Sequence, residues 1–233
     1  MPSCDTSAGL CSIDAPRADQ DAVIHYFGDP MCSWCWGLSP SLKVLEAHAT
    51  ERGIGFQITV GGLRAGGGDP WIDGFKRFLR KEWTHVAEAT GQPFGFTLLD
   101  RPSFNYDTEP ACRAIVVARR LFAEGGFPAS STYEFFSAVQ RTFYVEGMDL
   151  SQSSSYVDAC AATGLDLGRF TSAFASDEAR KAAAQDFAKA RNFEVRSFPT
   201  LLVERGGRML PLSSGYATGR QMIDRLDALL AVP

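Results

Sequence analysis

Basic charge is in short supply: 23 Lys and Arg stand against 27 Asp and Glu, a net of −4. The cations are scattered rather than striped, so the chain carries no electrostatic footprint for nucleic acid. Long apolar runs are missing as well. Nothing approaches the ~18 apolar residues of a membrane span, and Leu226-Asp227-Ala228-Leu229-Leu230 reads as the end of an amphipathic helix. Residues 1–20, rich in Ser, Ala, Asp and Pro, lack an apolar stretch behind a basic start. They read as a disordered tail, not a secretory signal, and the expected location is the cytoplasm, where thiols stay reduced. Gly61-Gly62-Leu63-Arg64-Ala65-Gly66-Gly67-Gly68 lacks the Gly-Lys-Ser/Thr ending of a phosphate loop, so it reads as a flexible linker.

What is present is a dithiol. Met31-Cys32-Ser33-Trp34-Cys35-Trp36-Gly37 follows the apolar run Val23 to Phe27 and the turn Gly28-Asp29-Pro30. Strand, turn and C-x-x-C in that order mount a redox pair at a helix N-terminus. Helix starts leave N–H groups unpaired and carry the positive end of the macrodipole, so a thiolate on Cys32 is favoured there. Cys35, one helical turn further, is the more enclosed sulfur and suits the resolving role. Half of a zinc site is the competing reading, but structural zinc wants four ligands and no second close pair exists. Cys4 and Cys11 lie in the tail and read as inert thiols. No metal and no cofactor are expected.

At 233 residues and 45% hydrophobic content the chain can bury a full core. Val23 to Phe27 predicts a strand buried on both faces, on which His25 is a core histidine. Leu38, Leu42, Leu45 and Ala49 have helical spacing, and Phe56 to Val60 alternates like a strand. Residues 22–60 thus form a β-α-β unit whose right-handed crossover makes its strands parallel. Helical periodicity follows over Trp71–Thr90, Glu109–Glu124, Ser131–Glu146, Gln152–Thr163, Asp166–Ala175 and Asp177–Asn192, with a short strand suggested at Phe94-Gly95-Phe96. Within this block Phe75, Phe78, Trp83, Phe135, Phe136 and Phe143 are spaced as core residues. Thr200–Glu204 and Met209–Leu212 flank a Gly-Gly turn, and Gly219–Ala231 is a last helix. The expected class is α/β: a thioredoxin-type core, β-α-β plus β-β-α on a mixed sheet, with a large helical insertion. Its boundaries are a tail at 1–20, first half of the core at 21–61, inserted domain at 62–192 and second half at 193–233.

Ser197-Phe198-Pro199-Thr200 enters the first strand of the second half. An X–Pro bond prefers trans by only ~0.5–1 kcal/mol, so both isomers are open to it; the neighbouring dithiol and the layout favour cis. A cis bond would free the backbone of Phe198 to pair with an extended substrate.

In this order of features the chain resembles the DsbA-like branch of the thioredoxin superfamily. Asp29-Pro30-Met31-Cys32-Ser33-Trp34-Cys35-Trp36-Gly37, Glu109-Pro110-Ala111-Cys112-Arg113 and Ser197-Phe198-Pro199-Thr200 are similar to its signal-less, FrnE-like members. The resemblance implies Cys32 as nucleophile, Cys35 as resolving thiol and Pro199 as cis-proline. Two departures stand out. Strongly oxidising members carry Pro-His between the cysteines, where Ser33-Trp34 stands here. Many members also bury a carboxylate six residues before the nucleophile, where Tyr26 stands here, a poor base near pH 7.

The function expected is a thiol–disulfide oxidoreductase of reductase or isomerase type, acting on disulfide-bearing proteins or small thiols such as glutathione. Ser33 offers a hydroxyl to the Cys32 sulfur, and Trp34 and Phe198 hold substrate. Trp36 reads as packing, Asp29 as a turn residue or else a charge that tunes the thiols, and Cys112 and Cys160 as small core residues. The competing enzyme is a glutathione-dependent transferase or isomerase of the kappa or chromene-isomerase kind, whose members tend to keep a Ser where Cys32 stands. A non-catalytic binding or chaperone module is the third reading.

Overall fold

A computed structural model describes residues 21–231; the tail with Cys4 and Cys11 lies outside the described residues. Strand β1 (Val23–Gly28) leads through the dithiol turn into helix α1 (Ser33–Glu51), which returns to β2 (Gly55–Val60). β1 and β2 are parallel, Val23 to Gly28 opposite Gly55 to Val60, as a β-α-β crossover requires. After β2 come α2 (Asp73–Thr90), a 3₁₀ turn (Thr97–Asp100), α3 (Glu109–Gly125), α4 (Ser131–Tyr144), a second 3₁₀ turn (Ser153–Tyr156), α5 (Val157–Thr163), α6 (Leu167–Phe174) and α7 (Asp177–Asn192). The chain then closes with β3 (Thr200–Arg205), β4 (Arg208–Ser214) and α8 (Gly219–Ala231). Sheet order is β2-β1-β3-β4, with β3 antiparallel to both β1 and β4.

Alternation along β1 assigns its two faces. Tyr26 points to the side of α1 and α4, meeting the Phe136 ring edge-on at 5.7 Å. His25 and Phe27 point the other way, both against Phe193 at the end of α7. Helices cover both faces, which is why β1 is a continuous buried run. His25 is buried and bonds Glu204 through Nε2 at 2.9 Å. One continuous apolar cluster runs from the sheet through α1 into the inserted helices. The insertion therefore shares the core of the sheet.

Three local expectations are corrected. Phe94-Gly95-Phe96 is not a strand: Gly95 donates to the Tyr144 carbonyl at 2.7 Å, and a Cβ there would lie 2.3 Å from the Val145 oxygen, so the segment docks on the end of α4. Phe78 is 50% exposed and outside the core, whereas Trp83, Phe135, Phe136 and Phe143 are buried. The Gly-rich stretch is held and not free. The N–H groups of Leu63, Arg64, Gly66 and Gly68 donate to side chains of Asp29, Thr108, Asp107 and Asn105. Loop residues far along the chain supply those acceptors, which no local pattern reveals.

Candidate active site

The turn that carries the dithiol is built around Asp29. Its Oδ1 accepts the Met31 N–H at 2.8 Å, and its carbonyl accepts the Cys32 N–H at 3.1 Å. The Met31 carbonyl is taken by the Tyr106 hydroxyl at 2.9 Å. With those groups satisfied, the chain enters α1 with Cys32 as the residue before the first helical one, in extended conformation (φ −92°, ψ 118°). Cys32 is thus at the helix mouth, 6% exposed, while Cys35 is fully buried. Both are free thiols.

Pro199 and Phe198 meet this turn from β3. The Phe198–Pro199 peptide bond is cis. The Cys32 Sγ–H donates to the Phe198 carbonyl at 3.5 Å, across 166 residues of chain. On its other side the Pro199 carbonyl accepts the Gly215 N–H at 2.8 Å, which fixes the loop to the end of β4. Trp34 is half-buried and lies between His85 of α2 (5.5 Å, edge-on) and Tyr216 (6.1 Å). Trp36 is core: it stacks on Tyr144 and donates to the Pro93 carbonyl at 2.9 Å. So Cys32, Cys35, Trp34, Phe198 and Pro199 gather at one place. Ser33 is half-exposed beside them, while the Cys32 thiol is directed to the Phe198 carbonyl.

Two neighbours of the site do more than local sequence shows. Asp29 is fully buried, and its Oδ2 accepts the Leu63 N–H at 2.7 Å and the Cys112 thiol at 3.4 Å. It joins the dithiol turn to the start of the insertion and to α3, far beyond the work of a turn residue. Burial raises its carboxyl, and the donors from Leu63 and Met31 offset this in part. Cys112 is buried as expected but is a hydrogen-bond donor, not a mere apolar filler. Burial pushes its thiol well up, and the Asp29 charge adds to that. The sequence signal was there in Asp29, three residues ahead of Cys32, and in Cys112 behind Pro110. What it lacked was any hint that positions 83 residues apart touch.

Cys35 is surrounded by donors. The Asp29 N–H points at its sulfur from 3.5 Å, and the Tyr26 phenol faces it. Burial nevertheless raises the Cys35 thiol well above the ordinary cysteine range. Cys160 lies away from the site, with burial pushing its thiol to about 11. Among the described residues no three His, Cys, Asp or Glu side chains gather in a metal-binding group, and no helix is long and apolar enough to cross a membrane.

Comparison with known proteins follows the same lines. The DSBA-like thioredoxin domain family matches residues 23–231. A solved protein of Nitrosomonas europaea, described as a candidate protein disulfide isomerase, is 31% identical, with 90% of this chain and 98% of that one aligned at TM-score 0.79. The cytosolic disulfide reductase DsbM of Pseudomonas aeruginosa is 28% identical, covering 91% of this chain and 100% of its own at TM-score 0.70; its structure with GSH aligns at 0.66. The ClpXP adapter protein SpxH of Shouchella clausii is 26% identical over 209 residues, 85% of this chain, and the chain spans 65% of that relative's length. The protein belongs to the DSBA-like thioredoxin domain family.

Proposed function

We propose that the protein is a thiol–disulfide oxidoreductase of reductase or isomerase type, working through Cys32 and Cys35 in the cytoplasm on protein disulfides or small thiols such as glutathione. The observation that carries this reading is the Cys32 sulfur at the mouth of α1, 3.5 Å from the Phe198 carbonyl, with a fully buried second thiol one turn behind it. Exchange proceeds by attack of a Cys32 thiolate on a substrate sulfur, giving a mixed disulfide that Cys35 then displaces. Phe198 and Trp34 flank the first sulfur and hold the incoming chain. Without a cationic partner between the cysteines, the dithiol form is less favoured than in a strong oxidase, which suits reduction and reshuffling. The likeness to a cytosolic reductase, one of whose structures contains GSH, supports both the direction and the location.

Insulin reduction and refolding of a scrambled disulfide protein test the proposal. Both activities are expected in the wild type and lost in Cys32→Ser. Glutathione-dependent isomerase turnover that survives Cys35→Ser would favour the kappa or chromene-isomerase reading. Suppression of aggregation that persists with both thiols replaced would favour a chaperone.

A further inference from the structure

The exchange described above leaves one buried group beside the dithiol without a task. Tyr26 lies on β1, fully buried, and its hydroxyl reaches good hydrogen-bond geometry with no described residue, the Cys35 sulfur being the polar atom it faces. The ring is packed: Phe136 meets it edge-on, and its hydroxyl crosses Gly28, where a Cβ would come within 2.3 Å of the oxygen. That glycine leaves the phenol room to extend toward α1, and what it faces there is the Cys35 sulfur. A phenylalanine would fill the same space without burying a hydroxyl that lacks a well-formed hydrogen bond, so packing alone gives no reason for the oxygen.

We propose that Tyr26 is a catalytic residue of the resolving step: its hydroxyl donates to the Cys35 sulfur as that sulfur becomes a thiolate and attacks the mixed disulfide on Cys32. The proposal rests on the dithiol reading above. A phenol at this position serves as a donor and not as a base. Burial and the neighbouring sulfurs raise its own pKa well above 10, so it stays protonated and can only donate. The buried Cys35 thiol is held up by desolvation, and the Tyr26 hydroxyl and the Asp29 N–H are the groups that pull it back.

The chemistry balances as two displacements. Cys32 thiolate attacks R–S–S–R′, forming Cys32–S–S–R and releasing R′S⁻. Cys35–SH gives its proton to that departing thiolate. The Cys35 thiolate, held by the Tyr26 hydroxyl and the Asp29 N–H, forms the Cys32–Cys35 bond and expels RS⁻. Two electrons pass from the protein dithiol to the substrate, and Tyr26 is unchanged.

Oxidised glutathione is the probe, with rapid acid quenching and intact-mass detection of the glutathione adduct on Cys32 in the full chain. In Tyr26→Phe the adduct should form at a rate within about twofold of wild type. It should then decay at least about tenfold more slowly, with the pH profile of the decay displaced upward; a factor of 10 corresponds to ~1.4 kcal/mol. A 3-fluorotyrosine at position 26, a stronger donor of the same shape, should displace that profile downward, a change that a purely structural role would not produce. An adduct that forms in Cys35→Ser but resolves in Tyr26→Phe at the wild-type rate and pH would overturn the role of Tyr26 alone. No Cys32 adduct in Cys35→Ser would overturn the dithiol reading, and the Tyr26 role with it.

Discussion

The ring of Phe198 rests directly on Gly61: a Cβ added to that glycine would stand 1.9 Å from the ring's Cζ. The residue whose carbonyl accepts from Cys32 is thereby seated on the end of β2. Gly61→Ala should drive the half-exposed ring outward at little cost in stability, because the atom it strikes is the tip of a movable side chain. Disulfide exchange should fall several-fold while the thermal midpoint stays close to wild type. In a Phe198→Ala background the same substitution should add nothing, so a double-mutant cycle on exchange rate checks the coupling.

Asp29 should be the most sensitive position outside the dithiol. Asp29→Ala would orphan the Met31 and Leu63 N–H groups and the Cys112 thiol together. Roughly 2–5 kcal/mol of stability should be lost, read from the urea midpoint, with Cys32 reactivity falling as the turn loosens.

The same carboxyl predicts a pH dependence of definite sign. Desolvation raises it above 3.8 in the folded protein. A raised carboxyl binds its proton more tightly folded than unfolded. Its contribution is therefore full below the unfolded value and lost as pH rises through the folded one. Measured across acidic to neutral pH, wild type should lose stability relative to Asp29→Asn over that window and run parallel to it above. Other carboxylates cancel in the difference. A gap that stays constant with pH would show that Asp29 does not titrate.

The edge of the sheet depends on an ion pair. Arg119 grips Asp186 at 2.8 and 2.9 Å, and the Asp186 Oδ2 also accepts the Val60 N–H at 3.0 Å, while Arg119 takes the Ile58 carbonyl. Together they close two open backbone groups of the edge strand β2. Asp186→Ala should cost about 2–4 kcal/mol, by leaving a half-buried cation and an unpaired N–H. The rate of Cys32 with a small disulfide should be unchanged, which separates stability from chemistry.

Trp34 offers a test of substrate holding. Its half-exposed ring spans His85 and Tyr216 next to Cys32. Trp34→Ala should raise KM for a peptide disulfide by about three- to tenfold, the worth of an aromatic contact of ~0.5–1.5 kcal/mol. A small symmetric disulfide should react as before.

The sequence by itself determined every repeating element whose signal is local. Apolar runs, helical spacing and Gly or Pro punctuation lie within a few residues of one another, so β1, α7 and α8 were legible nearly to their ends. The dithiol was equally legible, because C-x-x-C at a strand–turn–helix junction is a local arrangement. Where adjacent residues misled, a distant surface had intervened. Phe94 to Phe96 docks on α4 instead of pairing as a strand, and the Gly-rich stretch is pinned by Asn105, Asp107 and Thr108. Only tertiary structure decided which buried groups face the sulfurs. The contacts of Asp29 with Cys112, of Cys32 with Phe198 and of Tyr26 with Cys35 join separate elements. Desolvation and hydrogen bonding depend on what a fold brings within a few ångströms, and sequence separation carries no record of that distance.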